Sequence, residues 1–131
     1  MFADFKDSQG RFRTQSLFWE SRHPDYNAYF TTKKHPHQGM ISLYEKYMAI
    51  ADPTEYQVAI QIFGSWEHWQ ALLKSKWFVE LVTEWREELK VQMESERYFE
   101  MKKNVKDPKT AVAATKWLAD RYTGKAKPTR G

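Results

Sequence analysis

The clearest pattern of apolar and polar positions along the chain begins at residue 40. Apolar side chains recur there with the spacing i, i+3, i+4, i+7, i+8 and i+11, and they are Met40, Leu43, Tyr44, Tyr47, Met48 and Ala51. This spacing places them on one face of a helix that packs against a core. Because proline breaks the interior of a helix, we expect this helix to end before Pro53.

A second helix is predicted to begin at Asp52 and Pro53. Asp52 suits the N-cap, and Pro53 suits the first helical position, where its missing N–H is harmless. Glu55 then occupies the position from which it reaches back to the N-cap in a capping box. Apolar residues continue the helical spacing, namely Tyr56, Ala59, Ile60 and Phe63.

A third helix is predicted over about residues 66–75. Gly64 suits the left-handed conformation that ends the second helix, and Ser65 suits the N-cap of the third. We expect Trp66, Trp69, Leu72 and Leu73 to face inward and Glu67, His68, Gln70 and Lys74 to face outward. Two short helices joined by a tight turn predict a helix-turn-helix unit over residues 40–76. Such pairs also occur in proteins that do not bind DNA.

Residues 77–106 form the longest helical segment and contain no glycine or proline. Thirty residues make a helix of about 45 Å, which is longer than a small core requires. We interpret this segment as an oligomerisation helix, and the alternative is a hairpin that folds back on its own chain. The residues predicted to meet a second copy are Phe78, Leu81, Val82, Trp85, Leu89, Met93 and Phe99.

The two ends of the chain differ from this helical middle. Residues 1–39 lack helical periodicity and mix aromatic residues with glycine and proline, which predicts an extended N-terminal arm with a short helix near residues 17–20. We expect the arm to dock on the core or on a neighbouring subunit. Asp107 and Pro108 predict a last helix over about residues 109–122, so that residues 107–131 form a C-terminal helix and a basic tail. The predicted fold class is all-α.

Composition narrows the class of protein. The 131 residues are 41% hydrophobic and 16% aromatic, which excludes global disorder and fits one domain. The absence of cysteine excludes disulfides, thiolate zinc sites and cysteine nucleophiles. No apolar run has the length of a membrane span, and the first residues do not form a signal peptide. We therefore expect a cytoplasmic protein with no membrane partner.

The sequence favours a non-catalytic protein. It contains no GxxxxGK[ST] phosphate loop, no GxSxG and no HExxH motif. His35 and His37 are interpreted as loop histidines and not as metal ligands. Glu87 and Glu88 are adjacent on a helix, so they point in different directions and do not form a catalytic pair. We predict no catalytic residue, no metal and no cofactor.

Charge is unevenly distributed along the chain, and this distribution favours a polyanionic partner. The net charge is +4, but residues 40–107 carry nine basic and twelve acidic groups, whereas residues 108–131 carry six basic and one acidic group. Few phosphate contacts in one copy predict weak binding, which an oligomer would strengthen through avidity. The predicted DNA-binding residues are Lys33, Lys34, His68, Gln70, Lys74, Lys76, Lys125, Lys127 and Arg130.

Several short segments, taken in order, resemble a known family. They are SLY at 42–44, DPTEY at 52–56, GSWEHW at 64–69, WF at 77–78, WREEL at 85–89 and AATKWL at 113–118. Together they resemble the small subunit of the DNA-packaging terminase of tailed bacteriophages. The likeness covers roughly residues 40–120, and residues 52–89 carry most of it.

The resemblance implies a non-enzymatic factor that recognises the packaging-initiation site on double-stranded viral DNA. Such proteins assemble as homo-oligomeric rings in the host cytoplasm and pass DNA to the terminase large subunit, which holds the ATPase and nuclease. By position, DNA recognition falls on residues 40–76, oligomerisation on 77–106 and large-subunit contact on 108–131. This chain differs from the pattern in its long segment before the helix-turn-helix and in its short basic tail, for which DNA is the alternative partner.

Two other functions are compatible with the same pattern. One is a helix-turn-helix transcriptional regulator that acts as a dimer. The other is a structural phage assembly protein that makes no contact with DNA.

Overall fold

A computed structural model describes residues 2–21 and 27–104, and this part of the chain is predominantly helical, as predicted. Helix α1 spans Leu43–Ile50, α2 spans Tyr56–Val58 and continues as a π-helical turn over Ala59–Phe63, α3 spans Trp66–Leu73 and α4 spans Lys76–Asn104. The chain divides into one unit up to Leu89 and a second from Lys90 onward. The predicted helix over 109–122 and the basic tail lie outside the described residues.

A small parallel sheet was not predicted. Strand β1, Phe30–Thr31, pairs with strand β2, Ile41–Ser42, so that Phe30 lies opposite Ile41. The strict all-α expectation is therefore wrong in this detail. Strands of two residues are too short to leave a periodic signal in the sequence. Their pairing also joins residues eleven positions apart, which no local pattern indicates.

The described part of the N-terminal segment packs its aromatic side chains on the core of the first unit, which is one of the two alternatives predicted for it, but it is not extended. Its described residues form 3-10 helices at Phe2–Phe5, Gln15–Leu17 and Trp19–Ser21. Four apolar side chains among its described residues are at most 1% exposed, namely Phe5, Leu17, Phe18 and Phe30. Their burial removes a large apolar area from water, which offsets the ordering of a segment with little regular structure.

Helix α1 begins and ends with local signals that the sequence contains. The Ser42 hydroxyl accepts a hydrogen bond from the Glu45 N–H at 3.1 Å, which caps the N-terminus. Ala51 ends the helix in the left-handed conformation, with φ 55°. The helix therefore stops before Pro53, as the sequence predicts.

Helix α2 starts three residues later than predicted. Asp52 does accept hydrogen bonds from the N–H groups of Thr54 at 2.9 Å and Gln57 at 2.8 Å, but it does so across a turn. Glu55 adopts a left-handed conformation with φ 69° and precedes Tyr56, the first helical residue. The capping-box role predicted for Glu55 is wrong, because its carboxylate is buried and bonded elsewhere.

The core of the first unit is formed by side chains from the N-terminal segment and from all four helices. Besides the N-terminal side chains, its fully buried residues come from α1, α2 with its π-helical turn, α3 and the first part of α4. Aromatic rings meet throughout, as between Phe30 and Phe63 at 5.3 Å and between Trp69 and Phe78 at 5.4 Å. None of the helices within 2–21 and 27–104 has an apolar stretch long enough to cross a bilayer.

Candidate nucleic-acid interface

The turn between α2 and α3 is built as the sequence predicts. Gly64 ends the π-helical turn with φ 71°, and the Ser65 hydroxyl accepts a hydrogen bond from the His68 N–H at 3.1 Å. A Cβ atom at Gly64 would lie 2.6 Å from the ring of Phe2. The positive φ favours glycine here, and any other residue would also displace the ring of Phe2, which is 47% exposed.

A buried carboxylate fixes the inner side of α3. The Glu55 carboxylate accepts hydrogen bonds from the Trp69 indole at 3.1 Å, the Tyr47 hydroxyl at 2.7 Å and the Arg86 guanidinium at 2.7 and 2.9 Å. One residue thus connects α1, α3 and α4. Because every donor points to the same carboxylate, the orientation of α3 against the core is defined by directional bonds as well as by packing.

The charge state of this cluster follows from its hydrogen bonds. Burial acts to raise the pKa of Glu55, but the bonds from Arg86, Tyr47 and Trp69 outweigh it and hold the pKa below its usual value. Burial and the neighbouring carboxylate raise the pKa of Tyr47. Glu55 is therefore ionised and Tyr47 is neutral at physiological pH.

The outer side of α3 carries the polar residues predicted there, with one exception. Glu67 and Gln70 are exposed, as is Lys74 directly after the helix. Lys76 begins α4 with its side chain 86% exposed and its ammonium 3.8 Å from Glu80. Gln70 lies on α3 and Lys74 is its C-cap residue, whose backbone is still in the right-handed helical conformation, so the two residues, four positions apart, lie on the same side of the helix end.

The exception is His68, whose predicted DNA contact is wrong. His68 is 1% exposed, its Nε2 lies 2.7 Å from the carbonyl oxygen of Arg13, and its ring stacks on Phe12 at 4.6 Å. Burial lowers the pKa of His68, so the imidazole is neutral. Because the N-terminal segment packs on this face of α3, His68 is a contact between two parts of the core.

The two predicted basic residues of the N-terminal segment are exposed. The Lys33 ammonium lies 5.9 Å from the ring of Trp19, and the Lys34 ammonium lies 5.1 Å from the ring of Tyr44. Both are within the range of cation–π attraction, which orients the side chains without neutralising them. Lys125, Lys127 and Arg130 lie outside the described residues.

The predicted oligomerisation residues divide into two groups. Phe78, Val82, Trp85 and Leu89 are at most 4% exposed and belong to the chain's own core, so the prediction that they meet a second copy is wrong. The helical period identified the buried face of α4 but not its partner, which is the N-terminal segment and α1, as in the pairs Phe18–Phe78 and Tyr47–Trp85. The partly or largely exposed members are Leu81, Met93 and Phe99.

Arg13, which the sequence does not single out, holds the N-terminal segment together. Its guanidinium donates to the carbonyl oxygens of Asp4, Ser16 and Asn27 at 2.7 to 2.9 Å. Arg13 is 6% exposed. These acceptors are backbone groups of an irregular segment, and no spacing rule in the sequence indicates them.

Comparison with models of protein families, with curated proteins and with solved structures finds no match to this chain. The argument for the candidate interface therefore comes from the side chains of α3 and its neighbours and not from any relative. Within the described part of the chain, no three His, Asp or Glu side chains are grouped so as to hold a metal ion.

Proposed function

We propose that the chain is a non-catalytic DNA-recognition protein of the terminase small-subunit type. In this proposal, α2 and α3 act as a helix-turn-helix that binds double-stranded viral DNA at the packaging-initiation site. Copies assemble into a homo-oligomeric ring in the host cytoplasm and deliver the DNA to the large ATPase and nuclease subunit. The sequence resemblance described above supports the family assignment.

One observation supports DNA recognition most directly: the exposed face of α3. Gln70 and Lys74 share this face, and Lys76 follows with its side chain 86% exposed. A glutamine side chain can pair with an adenine edge, and lysine can contact guanine or phosphate. On the inner side, Trp69 is bonded to Glu55, so the outer residues are presented by a helix of defined orientation.

The exposed part of α4 supports assembly. Val91 and Phe99 are each 56% exposed, and Met93 is partly exposed. Since the earlier apolar residues of α4 are buried in the chain itself, we propose that the residues after Leu89 supply the contact between copies. The charge of residues 108–131, six basic groups against one acidic group, adds an anion-binding segment to each copy.

DNA binding is tested by a paired substitution. Lys74→Ala with Lys76→Ala should lower the affinity for duplex DNA, measured by fluorescence anisotropy, and reduce the slope of log K against log salt by about 2. The matched control is Lys46→Ala with Arg11→Ala, two exposed basic residues of the first unit that belong to neither the candidate interface nor the proposed contact between copies. If both double variants lose the same affinity for DNA, the loss comes from net charge and the role assigned to α3 is wrong. If the parent protein does not bind DNA in dilute salt, the proposal is refuted.

A further inference from the structure

A cavity of about 420 Å³ lies in the first unit, between the N-terminal segment and the start of α4. Its apolar wall is formed by Phe18, Trp77 and Leu81, and its polar wall includes Glu20 and Thr32. The volume falls within the range of sites that hold small molecules. None of the residues of the candidate nucleic-acid interface lines this cavity.

Two of the three residues that form the apolar wall are aromatic. The rings of Phe18 and Trp77 meet edge to face at 5.2 Å, and both rings contact the fully buried Phe78. The indole N–H of Trp77 is itself buried and has no acceptor among the described residues. Trp77 therefore offers a ligand the rest of its ring and not its N–H. An aromatic face of this kind attracts apolar groups and cations.

The polar wall carries a negative charge in a fixed position. Glu20 accepts hydrogen bonds from the Thr31 hydroxyl at 2.5 Å and from the Thr32 N–H at 2.9 Å, one at each carboxylate oxygen. Partial burial acts to raise the pKa of Glu20, but these hydrogen bonds outweigh it and lower the pKa. Each oxygen retains a lone pair for a further donor. The described residues that line the cavity include no basic side chain.

We propose that this cavity binds an organic cation, a primary amine or guanidinium group joined to an apolar body. The cationic group pairs with Glu20, and the apolar body lies against the partly exposed Trp77 and Leu81, because Phe18 is only 1% exposed and supports the wall from behind. An anion or a purely apolar molecule lacks one of these two interactions. This binding is independent of the proposed DNA recognition.

The test follows the indole N–H resonance of Trp77 by ¹H–¹⁵N NMR, assigned by its loss in Trp77→Phe. Phenethylamine is the probe, and we expect a saturable shift of this resonance. Phenylacetate, with the same ring and the opposite charge, should cause none. N-acetyl-arginine methylamide represents a cation carried on a protein, so the tighter of the two cations indicates whether the natural source is a free amine or a side chain.

Variants locate the cation. Glu20→Gln should weaken phenethylamine binding about tenfold or more, whereas Glu84→Gln, at an exposed acid of α4, should leave it unchanged. Leu81→Lys keeps Glu20 and its hydrogen bonds but places a competing cation at the cavity wall, so it should also weaken binding. A dispersed spectrum verifies that each variant is folded. No shift at millimolar phenethylamine, equal binding of phenylacetate, or unchanged affinity in folded Glu20→Gln would overturn the proposal.

Discussion

The guanidinium of Arg86 donates two hydrogen bonds to the buried carboxylate of Glu55, from Nε to Oε2 at 2.7 Å and from Nη2 to Oε1 at 2.9 Å. The two residues are 31 positions apart and join α4 to the turn before α2. A bidentate pair fixes both distance and orientation. Because Tyr47 and Trp69 bond the same carboxylate, this pair determines how α3 is held in the first unit.

Arg86→Met should lower the free energy of unfolding by about 2–3 kcal/mol. The substitution leaves Glu55 buried without its cationic partner, and the loss falls below that of a fully buried pair because the Arg86 side chain is 42% exposed. Urea denaturation followed by tryptophan fluorescence measures this change. Arg97→Met, at an exposed arginine of the same helix, is the control and should have little effect. Equal stability of the two variants would contradict the role assigned to the pair.

His68 predicts a pH dependence of stability. Burial holds its folded pKa below the usual 6.5, so the unfolded chain binds more protons at this site than the folded chain does. Its contribution is therefore fully present above about pH 6.5 and is lost as pH falls through the folded pKa. Thermal unfolding should show a steeper loss of stability below this pH in the parent protein than in His68→Gln, which retains a donor for the Arg13 carbonyl.

The matched control for this histidine is His35→Gln, at an exposed site. It should keep the pH dependence of the parent protein. If His68→Gln and the parent protein lose stability in parallel, the buried neutral imidazole is not the source of the effect.

Substitutions at Gly64 and Gly39 distinguish the free-energy cost of a steric contact with Phe2 from that of a positive φ. Gly64→Ala should destabilise the protein by about 2 kcal/mol, since displacing the half-exposed Phe2 ring adds to the cost of a positive φ. Gly39→Ala should cost about 1 kcal/mol, because Gly39 has a similar φ of 83° but nothing within 4 Å of a built Cβ. In the Phe2→Ala background, the excess cost at Gly64 should disappear. An excess that persists there would mean that Phe2 does not press on the turn.

Phe99→Asp should lower the mass of the assembly, measured by light scattering after size exclusion. The ring is 56% exposed, and a carboxylate placed in an apolar contact between copies would be desolvated. Thr83→Asp adds the same charge at an exposed position of α4 that precedes Leu89, outside the proposed contact, and should leave the mass unchanged. A parent protein that is already monomeric at micromolar concentration would refute the proposed ring.

Features of the chain that depend on neighbouring residues could be predicted. The helix predicted from Met40 begins three residues later, at Leu43, because Ile41 and Ser42 form strand β2, whereas the stop before Pro53, the left-handed Gly64 and the Ser65 cap appear as predicted. Each depends on backbone conformation and on hydrogen bonds within a few residues. The helical spacing also identified the buried face of α4.

Features that depend on distant residues could not be predicted in the same way. Glu55 has the sequence context of a capping residue, yet its partners come from α1, α3 and α4. His68 has the helical position of an exposed residue, yet the N-terminal segment covers it. In both cases the hydrogen-bond partners of the side chain come from other elements of the fold.

Helices α1, α3 and α4 and their apolar faces follow from the amino-acid sequence alone, because they depend on local backbone geometry and side-chain period, whereas the start of α2 does not. The partner of each face follows only from the packing of the whole first unit: Leu89 lies in the chain's own core, Glu55 bonds Arg86, and His68 bonds the Arg13 carbonyl. Periodicity records that a side chain is withdrawn from water, but the identity of its partner is decided by long-range packing.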